Sequence, residues 1–441
     1  MTDTRPEPLC GKYRDTFAFV TIRDRLPEIL TKVIDVFSRM ASEHHKNNAD
    51  DKADDAKNIV GKLSQLKNQM QTDKEMRALE DNYPDARIWN EFVASCPILD
   101  EKRKVPTWFS VPWLTCECYL YRRIFEALQM SDFHKDCDPF QEQKSKAFYS
   151  SQTAMATLAR YVIQFAESDV ASSETHEQLK GDFEMLLEYC LWGNKCDLSL
   201  SAGTQVTHQL KESSQLKNLL EHILVNDTDK IWEQITLAQS REGGSARLDF
   251  VLDNSGFELY TDLCLAEFLL DKKLFDVVNF HVKEMPWFVS DASEKDVVWT
   301  IEECAKSDDA VISKLGQRWA KRLSENSFVI VKQPYWTYPH DYAAMKATDS
   351  SLYNLLSESN LIIFKGDLNY RKLIGDRNWP HTTSFSEALH GFCPAPLCAL
   401  RTLKADLVVG LAPGQAEKMT EKEEKWMVNG QYAVIQHCRK I

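Results

Sequence analysis

Two short apolar runs in this chain end in clusters of acid, amide and glycine. Leu248 to Leu252 leads into Asp253-Asn254-Ser255-Gly256, and Leu361 to Phe364 leads into Lys365-Gly366-Asp367-Leu368-Asn369-Tyr370-Arg371. A strand buried in a parallel sheet reads as a near-continuous apolar run, and ligands of open α/β sheets bind beyond the carboxyl ends of such strands. Polar residues crowded at those ends therefore point to a site more than to a solvated turn. Pro286-Trp287-Phe288-Val289-Ser290-Asp291 repeats the pattern. Three apolar stretches that each deliver oxygen ligands predict a hard divalent cation.

At 441 residues the chain exceeds what one hydrophobic core usually supports. Apolar recurrence at helical intervals from Thr21 to about Leu191 predicts an N-terminal helical domain over 1–190; Leu26, Ile29, Leu30, Val33, Ile34 and Phe37 trace one face, with Pro27 in the first turn. After Gly193, strand-like runs at Asp249–Leu252, Val277–Val282, Phe328–Val331, Leu361–Phe364 and Leu407–Leu411 alternate with helical spacing. That alternation predicts a three-layer α/β/α, Rossmann-like, mainly parallel sheet over 191–441. The polar stretch from His44 to Lys57 reads as an exposed loop or a solvated helix face, and Ser201–Asn218 and Ala412–Glu424 read as surface loops.

A formal charge of −13 argues against nucleic acid or an anionic membrane as the main partner, so an anionic substrate needs a local cluster of Lys and Arg. No run approaches a membrane span, and the first forty residues lack a long apolar segment of the secretory kind. Twelve cysteines without such a signal predict free thiols and a reducing compartment, cytosol or nucleus. None of their spacings matches the usual zinc pattern.

Asp253 and Asn254 at the opening of a helix supply oxygens, which suit magnesium or manganese better than zinc. The plainer reading is that one of them caps that helix. Asp291 is the natural third ligand, with an N-cap again as its alternative. The turn from Lys365 to Lys372 offers cations for a phosphate and Asp or Asn for hydroxyls, as a phosphorylated polyol requires. Arg401-Thr402-Leu403-Lys404 precedes the apolar run at Leu407, and Trp192-Gly193-Asn194-Lys195-Cys196-Asp197 forms a fourth polar knot, adding Arg401, Asn194 and Asp197 as further candidates.

Jointly, Leu252 to Glu258, Trp287 to Asp291, Phe364 to Leu373 and Arg401 to Lys404 resemble the metal-dependent damage-control phosphatases. The likeness is to the branch with an Arg-Thr-x-Lys motif, also described as acidic residue methyltransferase, and it runs from Phe17 to the last strand. The resemblance implies a metal held by Asp253, Asn254 and Asp291, with manganese, nickel, cobalt or magnesium able to serve. It implies substrate contacts at Asp253, Asn254, Asp367, Leu368, Asn369, Tyr370, Arg371 and Lys404, and hydrolysis of small-molecule ketose phosphates such as fructose 1-phosphate and fructose 6-phosphate. In such a site the ion would polarise a phosphoryl oxygen while Lys404 and Arg371 neutralise the transferring group and Asp367 orients water or sugar. Water and Asp253 both remain open as the nucleophile. The rival expectation is S-adenosylmethionine-dependent methylation of protein glutamates. Against it stands the absence of any Gly-x-Gly-x-x-Gly turn among 15 glycines. A third class, a non-catalytic interaction protein built on the acidic helices, does not account for the strand-end convergence.

Overall fold

Seven strands form one sheet: β1 (Ile223–Asn226), β2 (Arg247–Val251), β3 (Val277–Val282), β4 (Phe328–Lys332), β5 (Leu361–Lys365), β6 (Leu397–Thr402) and β7 (Ala433–Cys438). They belong to a computed structural model that describes residues 5–167, 175–200, 219–239 and 245–439, with 165–167 and 194–200 described in backbone only. The spatial order is β1-β7-β6-β5-β2-β3-β4. β2 to β6 run parallel, β7 is antiparallel to β6, and β1 is parallel to β7. The chain steps outward from β2 to β3 to β4, then crosses back to lay β5 against the other side of β2, with Val251 beside Phe364. The carboxyl ends of β2 and β5 thus flank the switch point of the sheet, where open α/β folds bind ligands.

Alternate side chains of the central strands enter different cores, as a pleated strand requires. Leu248, Phe250, Val278, Phe280, Leu361 and Ile363 pack with the helices Gln152–Glu167, His176–Leu200, Thr228–Gln239, Phe257–Asp271, Glu294–Ala305 and Ala310–Ser324. Val251, Ile362, Phe364 and Leu397 join a second core with Leu26, Leu30, Val33, Phe37 and the almost wholly buried helix Trp113–Gln129. This is the three-layer α/β/α arrangement with N-terminal helices. Position 190 falls inside the helix His176–Leu200, which packs on Phe257–Asp271, so the change of composition at Gly193 marks no break in the chain.

Two apolar runs read as strands are not strands. Leu407–Leu411 is buried irregular chain, with Gly410 in the left-handed region and its N–H donated to the Thr383 carbonyl. The run Trp287–Val289 is a loop between β3 and the Glu294–Ala305 helix, with Phe288 and Val289 at φ of 43° and 73°. Burial alone makes such segments apolar, whatever their backbone. Conversely the His44–Lys57 stretch is two helices, Leu26–Lys46 and Asp50–Gln71, joined by a short turn. Ser201–Asn218 lies outside the described residues, and Ala412–Glu424 contains the helix Gln415–Lys422. Among the described residues no helix is long and apolar enough to cross a membrane.

One guanidinium ties the N-terminal helices to the β5 end. Arg371 donates to Glu117 Oε2 at 2.6 Å and to both oxygens of Asp376 at 2.7 and 3.0 Å, and stacks 3.8 Å over the Trp113 ring. Asp376 in turn accepts the backbone N–H of Leu114, and its carbonyl accepts that of Leu9. Removing one partner of a buried ionic cluster leaves the others charged and dry. Arg371→Met should therefore lower unfolding free energy by about 3–5 kcal/mol, read as a fall in denaturant midpoint.

Candidate active site

Asp253 leaves β2 directly and is buried. Its neighbour across the switch point is Gly366, at φ +84°, the first residue after β5. A Cβ at Gly366 would stand 1.8 Å from Asp253 Oδ2, so only a residue without a side chain lets the two strand ends close on the carboxylate. Neither Asp253 nor Asn254 caps the following helix; Gly256 holds that position without a side-chain bond. Asp291 is not a cap either, because Ser293 and Asp296 form the capping box of Glu294–Ala305. Helix capping therefore does not account for any of the three.

The Asp291 loop is pinned to the β2 turn by backbone. Ser255 N–H donates to the Ser290 carbonyl at 2.7 Å, Ala292 N–H donates to the Asp253 carbonyl at 2.7 Å, and Asn254 and Asp291 form an isolated antiparallel bridge. Ser290 Oγ donates to Asn254 Oδ1. Asn254 Nδ2 donates to Asp253 Oδ2 and to Glu258 Oε2, each at 2.9 Å. The amide nitrogen thus stands between two carboxylates, where a cation would also be held.

The electrostatics show a surplus of negative charge. Burial, together with Glu258 and Asp291 alongside, pushes the Asp253 carboxyl well above the ordinary range, against the pull of Lys404 and Lys283. Burial likewise pushes Asp291 up to about 6, although Lys283 opposes it from 3.3 Å. Asp291 Oδ2 is buried, with the Lys283 ammonium as its charged neighbour. Two buried carboxylates beside an amide are oxygen donors of the kind a divalent cation accepts, so Asp253, Asn254 and Asp291 could hold one. Among the described residues no group of three His, Cys, Asp or Glu offers an alternative centre.

Across the switch point, Asp367 Oδ1 accepts Arg401 Nε at 2.8 Å and the backbone N–H of Lys404 at 3.1 Å. Burial would raise this carboxyl, but Arg401 and Arg371 hold it below its usual value, so it is ionised near neutrality. Arg401 is itself fully enclosed; its guanidinium stacks 4.3 Å from the Tyr370 ring and donates to the Leu407 and Ala405 carbonyls. The Arg-Thr-Leu-Lys motif lies at the end of β6, not ahead of a strand at Leu407. Lys404 is half-buried, and its ammonium makes no hydrogen bond or ion pair within the described residues.

The structure therefore brings Asp253, Asn254, Asp291, Asp367, Arg401 and Lys404 to one end of the sheet. It commits the rest of the Asp367–Arg371 run to the protein itself. Leu368 lies in the core, and Tyr370 Oη donates to Gln436 Oε1. Asn369 Nδ2 reaches the Lys365, Val251 and Leu252 carbonyls while its Oδ1 accepts from Tyr342. Arg371 pairs with Glu117 and Asp376 through one bond from each of its three nitrogens. The side chains of Asn194 and Asp197 lie outside the described residues. Sequence reading did not single out Glu258, Lys283, Ser290 or Gly366. Lys283 follows the apolar end of β3 directly and was findable by the same strand-end rule; Glu258 sits one helical turn after Asn254.

The comparison with known families covers most of the chain. Residues 21–419 match the model of the damage-control phosphatase ARMT1-like domain. The chain belongs to that family. It is 43% identical over 434 residues to Damage-control phosphatase ARMT1 of Danio rerio, covering 98% of this chain and 96% of that protein. Against the proteins of the same name from Xenopus tropicalis and Homo sapiens it is 42% identical over 434 and 435 residues, with 98% of each chain covered. The chain is thus a phosphatase of the damage-control class.

Two outcomes follow from the geometry. Gly366→Ala should cost about 1–2 kcal/mol for the left-handed backbone alone and, by pushing Asp253 aside, cut turnover at least a hundredfold in a phosphate-release assay. Asp291 takes up its proton near pH 6 when folded but near 3.8 when unfolded. The folded chain therefore binds the extra proton between those values, and its charged form weighs against folding above them. In metal-free protein Asp291→Asn should then be stabilising at pH 7, by roughly 1–3 kcal/mol, with the advantage fading as pH falls below about 6; urea midpoints at pH 7 and 5 measure it.

Proposed function

We propose that this chain is a metal-dependent phosphomonoesterase acting on reactive small-molecule sugar phosphates of the fructose 1-phosphate and fructose 6-phosphate type. The observation that carries the reading is the pairing of two unlike carboxylate environments across one switch point. Burial pushes the Asp253 and Asp291 carboxyls up, whereas Arg401 and Arg371 hold Asp367 down and ionised. The first environment suits a cation; the second suits a polyol hydroxyl.

Asp253 and Asp291, with Asn254 after a half-turn of its amide, would hold the ion through oxygen. Manganese, nickel, cobalt and magnesium all accept such ligands. A divalent ion there supplies neutralising charge and acidifies water. Lys404, whose ammonium makes no hydrogen bond or ion pair among the described residues, sets that ammonium against the phosphoryl oxygens. Asp367, immobilised by Arg401 and the Lys404 N–H, accepts a hydrogen bond from a sugar hydroxyl and fixes the ester's orientation. Arg401 acts by positioning Asp367, not by touching phosphate. The turn after β2 carries one glycine, Gly256, and puts the Asp253 carboxylate at the strand end, which favours phosphoryl over S-adenosylmethionine chemistry. Free thiols at every described cysteine suit a reducing compartment, cytosol or nucleus.

Phosphate release screened over sugar phosphates with Mn2+, Ni2+, Co2+ and Mg2+ tests the reading. Asp253→Ala should abolish turnover, and Lys404→Met should lower kcat/KM by about 10²–10³. Turnover that survives thorough chelation, or a Lys404→Met enzyme with unchanged kinetics, overturns the proposal. Methyl transfer to protein glutamates by the metal-loaded enzyme, without phosphate release, would replace it with the rival activity.

A further inference from the structure

A second constellation sits where the N-terminal helical hairpin meets the turn after the Trp113–Gln129 helix. His134 is buried in that turn. Its Nδ1 lies 2.9 Å from Asp55 Oδ2 on the Asp50–Gln71 helix. The same carboxylate accepts the Ser131 hydroxyl at 2.5 Å and the Phe133 N–H at 3.1 Å. Asp55 thus gathers three donors, the ring among them, and fixes the ring's orientation. The other ring nitrogen, His134 Nε2, lies 3.4 Å from His44 Nε2, in the last turn of the Leu26–Lys46 helix.

The separation is long for an N–H···N bond, whose heavy atoms usually lie about 2.9–3.0 Å apart. It matches two imidazoles on one tetrahedral ion, where metal–nitrogen bonds of about 2.0–2.1 Å put the nitrogens about 3.3–3.4 Å apart. A carboxylate behind one ring nitrogen, with the other nitrogen turned to a shared point, is also how ligating histidines are oriented. We propose that His44 and His134 bind a borderline transition-metal ion of the Zn2+ or Cu2+ class, with Asp55 as the positioning residue behind His134. Imidazole ligands select such ions, whereas the oxygen donors at the strand ends suit Mg2+ or Mn2+. Among the described residues no third His, Cys, Asp or Glu completes the set, and His44 is half-exposed, so water fills the remaining positions and the ion is exchangeable. Bound metal clips the tip of the hairpin to the 131–134 turn.

The full chain, stripped of metal and held in a large excess of Mg2+ to occupy the oxygen-rich centre, is titrated with Zn2+ and analysed for bound zinc. Wild type should take up one zinc more than His44→Ala. His45→Ala, which alters the neighbouring exposed ring paired with Asp50, should match wild type. Asp55→Asn should weaken the extra site about 10–100-fold. Zinc should also raise the unfolding temperature of wild type more than that of His44→Ala. His44→Gln, which keeps the helix surface polar, serves as a second variant if His44→Ala folds poorly by circular dichroism. Equal zinc content in wild type and both His44 variants overturns the site and leaves the pair a simple imidazole contact. Undiminished affinity in Asp55→Asn overturns the positioning role.

Discussion

Everything at the β2–β5 switch point depends on the contact between the Asp253 carboxylate and the bare Cα of Gly366. Parallel neighbours sit under 5 Å apart, and a side chain on the first residue after β5 would fill the crevice. With none there, the carboxylate of one strand end lies directly against the backbone of the other. The Asp291 loop then closes from the β3 side through backbone hydrogen bonds, so the third donor is placed by main chain and not by flexible side-chain packing. Two consecutive non-glycine residues in the left-handed region, Phe288 and Val289, are what bend that loop back. For a β-branched valine this is a costly conformation, and such outliers gather at functional sites.

The strand-end rule made the site legible before the fold was known. The apolar runs Leu248–Leu252 and Leu361–Phe364 located Asp253, Asn254 and Asp367, although the first is interrupted by Asp249, a buried carboxylate satisfied by Arg247, Asn279 and His281. The same rule misplaced Leu407–Leu411 and Trp287–Val289, since a buried loop and a buried strand select the same side chains. β1, β6 and β7 escaped notice: β1 spans four residues, and β6 and β7 carry Arg401 with Thr402 and Gln436 with His437 within their spans. Lys283 was missed although it obeys the rule. Arg371 could not be assigned from sequence at all. Its ion pair with Glu117, 254 residues earlier in the chain, leaves no trace in the local pattern.

The phosphatase end of the sheet and the N-terminal helices are therefore one mechanical unit. Arg371 begins one turn after Asp367 on the same helix, so the residue that would grip a hydroxyl and the residue that anchors the helical half move together. One helical turn therefore joins the Glu117 anchor on the Trp113–Gln129 helix to Asp367 at the end of the sheet.

The amide nitrogen of Asn254 bridges Asp253 and Glu258 while Ser290 holds its oxygen from behind. The amide thus stands between two like charges and keeps them apart. Turning its oxygen toward Asp253 would exchange all three hydrogen bonds together, so this one side chain links the β2 turn, the following helix and the Asp291 loop.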